Sequence, residues 1–571
     1  MNRIFSTALL LALSSLSVTA EKARALSSVS ETTADTILSA ASPPLRGGRE
    51  GLSIDSMAAH YLALAVDEDR VRSRRTDCGP DAECSLPVES VALTPPLHLP
   101  LGEAGRGFQE AGRGLRGEPS PKRPWLAAAQ AFGINVFVLS FDRFVLDADF
   151  AKINARTVRH NIKNGFVWDN DQFSTNLFAH PYHGGLYFNA ARSNGMNFWE
   201  SVPYAFGGSL MWETVCEVEP PAINDLIATT VGGVCIGEVT HRISDLVYDD
   251  RQRGLGRFAR ELLGAVVCPM RALNRIITGD AWRVRTTGYK YHDYERLPVN
   301  LSIGAGLRYL ADDNAMFRGE SNPYVNVNLV YGDPFDEESV KPYDYFTADI
   351  TFGLSSNQPL ISGVHLLGRL WSAPVYTGNE MQAEFGIFQH FNYYDSQPVK
   401  DGTSMVPFRI SEAAAVGPGL IYRFPKTGSL TTLEQRVFID AILLGGSLSD
   451  YYNVIDRDYN MGSGYSLKMN TAMEFGSTGR FTIMADYYRI YTWKGYEGKD
   501  LETTDPLYLN AQGDKGNAQL LVVSPSMRLT LGEHLALDTS VSYYWRRTHY
   551  ACHEDVSART FTAQMGVAYV F

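Results

Sequence analysis

The sequence predicts an α+β chain, an N-terminal helical domain followed by an antiparallel transmembrane β-barrel of about twelve strands. Two observations carry this expectation. From about residue 297 to the C-terminus, apolar and polar residues alternate with period two. The composition, with 50 Gly, 30 Tyr and 12% aromatics, suits strands, tight turns and interfacial aromatic girdles better than long helices.

The alternation is clearest in four stretches. From Val299 to Tyr309 every odd residue is apolar and every even one small or polar. Phe346–Phe352, Tyr465–Phe475 and Leu535–Arg546 repeat the pattern. A soluble sheet with one wet face would alternate in the same way. Lipid is favoured by strands of more than ten residues, by aromatics near strand ends (Tyr491, Trp493, Tyr543, Trp545), and by the lack of downstream helices to cover so much apolar surface. Connections also alternate: Pro425–Ser429, Gly476–Arg480 and Gly532–His534 are short, whereas Asp395–Val406, Asp450–Asn460, Gly495–Asp514 and Thr548–Ser557 are long. Short periplasmic turns and long outer loops produce that rhythm. The short Ser355–Pro359 connection fits it less well. Inward positions carry Arg308, Asp349, Lys468, Glu474, Asp538 and Arg546, so the lumen is expected to be polar.

The chain divides at composition shifts. Residues 1–20 read as a secretory signal, with Arg3, a short apolar stretch and small residues up to Ala20. Residues 21–123, rich in Ser, Ala, Pro, Gly and Arg, read as a disordered linker. Residues 124–288 read as a helical domain and 289–571 as the barrel. Within the helical domain, Ile134–Leu146 fits either a strand or a buried helix. Asn170–Trp212, Ile223–Tyr248 and Gly256–Ile277 fit helices, and Gly233 and Gly237 allow close helix approach. Outside the signal no apolar run of about 18 residues is evident, which argues against helical spans. A net charge of −12 excludes a global nucleic-acid footprint. Cys78 and Cys84 permit a small disulfide loop. Cys216, Cys235 and Cys268 read as core residues and Cys552 as a loop residue.

Candidate chemistry concentrates between His180 and His241. His180 and His183 are three apart, Glu213 and Glu217 four, and Glu238 and His241 three, spacings that place each pair on one helix face. Together with Asp225 these residues are expected to converge. Inward carboxylates and imidazoles can hold a divalent metal, with His180, His183, Glu213, Glu217, Glu238 and His241 as candidate ligands, although only one Glu-x-x-His pair is present. A hydrolase is the catalytic alternative, drawing on His180, His183, Glu213, Glu217, Asp225 and Glu238 with Ser193, Ser201 or Ser209 as nucleophile. A structural network gives the same clustering, with Glu residues paired to Arg192 and Arg242 and Asn224 or Asp225 capping a helix after Pro220-Pro221. No cofactor is indicated. The sequence leaves the oligomeric state open.

Two resemblances follow from these residues. The His180-Pro181-Tyr182, Trp212-Glu213, Glu219-Pro220, Asn224-Asp225 and Gly237-Glu238 elements together resemble an uncharacterised bacterial envelope family, a domain of unknown function with no established reaction to carry over. The final strand, with Phe561, Met565, Val567, Tyr569 and Phe571 on one face, resembles the C-terminal β-signal of outer-membrane proteins. That resemblance implies a Gram-negative outer-membrane protein that meets membrane lipid and engages the barrel-assembly machinery through Phe571 and Tyr569. Taken with the domain order, the expected role is structural, in transport or in envelope maintenance, with the helical domain as a plug or periplasmic domain; the alternative is a barrel-anchored hydrolase acting on lipid or another envelope component.

Deleting Phe571, or changing it with Tyr569 to Asp, should leave the chain degraded or periplasmic. Unchanged heat-modifiable protein in the outer-membrane fraction would refute the β-signal.

Overall fold

Closure of the sheet is set by its last strand. β12 (Val556–Val570) pairs antiparallel with β1 (Val299–Asp312), from Ser302 opposite Val570 to Leu310 opposite Thr562, so neither end of the sheet keeps a free edge. Between them β2 (Ala315–Tyr331), β3 (Phe346–Gly353), β4 (Ile361–Thr377), β5 (Gln382–Asp395), β6 (Arg409–Phe424), β7 (Thr432–Leu448), β8 (Tyr459–Glu474), β9 (Gly479–Thr492), β10 (Gly516–Thr530) and β11 (Leu535–Tyr550) follow in sequence order around a closed twelve-strand barrel. The computed structural model describes residues 121–571 except 169–170, 286–296, 337–340, 427–429, 453–456, 494, 497–502 and 504–512. The signal, almost all of the linker, and Cys78 and Cys84 lie outside the described residues.

The register identifies the two faces of the wall. Arg528 on β10 donates to Ser302 on β1, three strands away, and Asn392 on β5 donates to Tyr488 on β9, so these positions look across the interior. The alternate positions look outward: Leu307, Ile439, Leu467, Val541, Met565 and Val567 are all exposed. Apolar residues facing out and polar residues facing in is the pattern of a lipid-facing barrel, the reverse of a soluble one.

Two clusters of side chains occupy part of the interior. Tyr345, Leu367, Phe388, Ile421 and Phe438 pack near the rim formed by the short turns. Leu310, Tyr394, Phe408, Ile442, Tyr488 and Tyr544 pack toward the loop rim. The β5–β6 connection, residues 396–408, turns inward as a strap. Thr403 donates through its backbone and its hydroxyl to Asp312, Lys400 N–H donates to Glu320, and the Asn357 and Gln358 amides donate to the carbonyls of Pro398 and Gln397. At its end the Phe408 ring stacks on Tyr544 at 3.9 Å between centroids.

The helical region comprises α1 (Pro124–Phe144), α2 (Ala155–Asn164), α3 (His180–Arg192), α4 (Phe198–Met211), α5 (Ile223–Ile227), α6 (Gly233–Val247), α7 (Gly254–Val267) and α8 (Pro269–Thr278). The Ile134–Leu146 ambiguity resolves as helix, and that helix begins ten residues earlier, at Pro124. α1 has 21 residues and is apolar enough to cross a membrane, which corrects the expectation that no such segment follows the signal. The long helix expected over Asn170–Trp212 is broken at Ser193–Asn197, where Asn197 caps α4 in a reciprocal box with Glu200. π-helical turns at Thr175–Ala179, Trp212–Cys216 and Ala228–Gly232 flank α3, α4 and α6. α3 and α6 form the centre. A Cβ at Gly184 would lie 1.7 Å from the Thr229 carbonyl oxygen, and one at Gly233 2.6 Å from Gly184 Cα, so only glycine permits this approach. Cys216, Cys235 and Cys268 are buried and Cys552 is exposed, as expected.

This helical unit lies neither in the lumen nor beneath the barrel; it packs on the outward face of the wall. Phe173, Leu177, Phe188, Phe198 and Val234 share one core with the outward residues Tyr331, Phe346, Val364, Leu366, Phe391, Tyr393, Leu444 and Met461. Gln389 donates to the Val231 carbonyl, Asn176 to the Tyr459 hydroxyl, and Arg242 to Asp344. Trp168 packs on Trp493. The contacts run diagonally, from the β2–β3 connection at the turn rim to the starts of β6 and β8 at the loop rim. The lumenal plug reading is therefore corrected: barrel side chains already occupy the interior, and the helical core is completed by outward residues.

Gly232 makes this contact testable, since a Cβ there would sit 2.7 Å from the Ala413 carbonyl oxygen. Gly232→Val should destabilise docking by about 1–3 kcal/mol. Limited proteolysis should cut the 124–278 region faster while the barrel stays heat-modifiable. Unchanged proteolysis would contradict the packing.

Candidate functional site

The predicted polar residues of the helical unit separate into two groups at opposite ends of α3. At its N-terminal end His180 Nε2 lies 3.7 Å from Asp225 Oδ1. The His183 ring packs against Tyr187 and Trp212. Glu213, in the π-helical turn, accepts the Ala222 N–H at 2.9 Å. Glu217 does not share its face. The helix has ended, and the extended backbone at 217 sends the carboxylate back to the Trp212 indole N–H. α5 begins at Ile223 without a side-chain cap, and Asn224 donates to Asp225, so the expected capping role of these two residues is not realised.

At the other end of α3, roughly 18 Å along the helix from its 12 intervening steps, Glu238 accepts from Arg192 Nε at 2.7 Å and from Arg242 Nε at 2.9 Å. Arg242 continues to Asp344 and lies over the Tyr331 ring, so this network also ties the unit to the wall. The two guanidinium groups compensate the buried carboxylate. His241 is buried near the same arginines, and its backbone carbonyl accepts from Arg271. Among the described residues no three His, Cys, Asp or Glu side chains stand where one metal ion could be held. Of the candidate nucleophiles, Ser201 donates to the Asn197 carbonyl, and Ser193 follows the last residue of α3, far from His180.

Sequence reasoning missed a third group, inside the barrel. Lys468 Nζ sits 2.7 Å from both Glu412 Oε1 and Asp440 Oδ2, and His390 Nδ1 is 3.0 Å from Asp440. Asn392 donates to Glu412 and Tyr488, Tyr488 to Asp486, and Ser466 to Glu412. All these side chains are buried. Lys468 itself falls at an inward position of the sequence pattern. Its partners lie on neighbouring strands, and a register shift near Glu412 obscures their parity in the sequence.

Glu238→Gln should leave two buried guanidinium groups facing a neutral amide and destabilise the helical unit by about 3–5 kcal/mol. Glu213→Gln, which weakens one neutral N–H contact, should cost about 1–3 kcal/mol. Hydrogen exchange of amides 180–247 reads both, with barrel amides unchanged. Exchange that is insensitive to E238Q would remove the structural role of the network.

Residues 165–270 match the model of a family described as a domain of unknown function (DUF3943), a span that includes all the polar residues proposed from the sequence. No curated protein matches the chain. Among solved structures, the NanC porin is 10% identical over 47% of this chain and 98% of its own, with a TM-score of 0.25. OmpT, an outer-membrane protein of Vibrio cholerae, is 6% identical over 48% and 96%, with a TM-score of 0.21. An anion-selective porin from Comamonas acidovorans is 9% identical over 48% and 99%, with a TM-score of 0.19. The chain joins a region matching DUF3943, a domain of unknown function, to a closed twelve-strand antiparallel β-barrel.

Proposed function

We propose that this protein is an outer-membrane barrel with a structural, envelope-maintenance role, closed to free diffusion and serving as the wall on which the helical unit is held. The observation that carries this reading is the strap folded into the interior above a buried polar network. The strap 396–408 crosses from β5 to partners on β1 and β2, Phe408 reaches Tyr544 on β11, and the Lys468 network lies buried below. Outward apolar residues on β1, β7, β8, β11 and β12 support placement in a bilayer. Export would follow removal of residues 1–20, and assembly would use Phe571.

A second reading, gated passage of a polar solute, is favoured by one specific observation. The buried interior carries charged groups, which are costly at membrane depth and commonly mark a pathway.

Conductance in planar bilayers separates the two. The intact protein is expected to show no steady conductance, and a steady open pore would overturn the closed-barrel reading. Under that reading deletion of 397–407 also leaves the lower network in place and conductance near baseline. Porin-sized conductance after deletion would replace it with the gated one.

A further inference from the structure

The helices of the unit are built inside out. On α1 the buried positions include Gln130, Asn135 and Asp142, while Trp125, Phe132, Val136, Phe137 and Phe144 are exposed. Asn135 donates to the Gly208 carbonyl and accepts from the Tyr187 hydroxyl, and Gln130 donates to Asn274. α7 repeats the arrangement. Arg257 turns inward to the carbonyls of Asp250, Asp280 and Ala281, and Glu261 pairs with Arg275, whereas Leu255, Phe258, Leu262, Leu263 and Val266 face out. On α8 Arg271, Asn274 and Arg275 are buried, and Leu273 and Ile277 are exposed. A surface helix in water shows the opposite polarity. Inward polar groups, outward apolar groups and glycine-mediated helix contacts are the pattern of helices packed in a bilayer.

Position supplies the second observation. The unit docks on the same outward face that elsewhere exposes Leu307, Ile439 and Met565, along a band running from one rim to the other. Anything fixed there lies beside the hydrocarbon layer, so its apolar outer faces continue the barrel's own lipid-facing surface. α1, at 21 residues, is about 31 Å long, which matches the hydrocarbon thickness of about 30 Å. Lys122 and Arg123 precede it and Arg143 lies in its last turn, where cationic side chains can reach lipid phosphates.

We infer that the helical unit is itself immersed in the outer membrane, with the outer faces of α1, α7 and α8 in contact with lipid acyl chains. This rests on the reading of the barrel as membrane-spanning. The unit is then an intramembrane helical body fastened to a barrel wall, with α3 and α6 shielded at its centre.

Spin labels test this in the full-length protein, reconstituted in phosphatidylethanolamine–phosphatidylglycerol vesicles. Labels go at Val136→Cys, Leu263→Cys, Val567→Cys or Asp401→Cys, in a background with Cys78, Cys84 and Cys552 changed to serine. Leu263 and Val136 should resemble the barrel-wall position 567, with collisions with oxygen outweighing those with a water-soluble nickel chelate and the ratio reversed at loop position 401. Nickel accessibility at 136 and 263 alone would overturn the immersion. Protection from both reagents would indicate a protein cover, a second copy included, and would overturn it too. Nickel accessibility at 567 would instead show that the barrel is not in the bilayer, a failure of the underlying reading.

Discussion

Closure of the sheet is the constraint on which the rest of the structure depends. Once β12 pairs with β1, every strand has two neighbours, and the side chains divide into an inward and an outward set with no third choice. Phe388, Phe438, Tyr488 and Tyr544 occupy part of the interior, and the helical unit takes the outward face. There the same kind of residue that is exposed on β1 and β12 meets protein on β4, β5 and β6. Tyr393, Phe391 and Ala413 are buried by helices, whereas Val567 and Leu307 are not.

The polar groups follow from that placement. Arg242 serves both Glu238 within the unit and Asp344 on the barrel, so one buried charge network stabilises the unit and sets its seat on the wall. Such a network gives little net stability over an apolar replacement, but it penalises misplacement strongly, since a displaced partner leaves a charge buried and unpaired. The π-helical turns at 175–179 and 228–232 lie where the unit meets β6 and adjacent strands. Gly232 brings its backbone against Ala413, and Val231 offers its carbonyl to Gln389.

Much of the barrel was legible in the sequence because a strand buried on one face must alternate. Val299–Tyr309 and Phe561–Val570 became β1 and β12 with the expected apolar residues outward. The docking site was not legible, because Tyr393 and Met461 are chosen for an apolar outward environment and nothing in their period distinguishes lipid from helix. α1 escaped recognition because Gln130, Asn135 and Asp142 interrupt its apolar run, and only the fold shows that they share the inward side. Sequence proximity likewise merged two polar groups that α3 holds apart, and it placed Glu217 on a helix that has already ended. That Arg192 and Arg242 pair with Glu residues is legible in the sequence, since opposite charges among apolar neighbours must meet, whereas the choice of Glu238 as their shared partner is not.

The central claim is that the helical unit seats on the outward face of the barrel. A cysteine pair tests it most directly in isolated outer membranes, because a Cβ at Gly446 would fall against the Leu177 side chain. Leu177→Cys with Gly446→Cys should form a disulfide under mild oxidation, whereas Leu177→Cys with the inward Phe438→Cys should not. Crosslinking to position 438 and not to 446 would place the unit in the lumen and contradict the account.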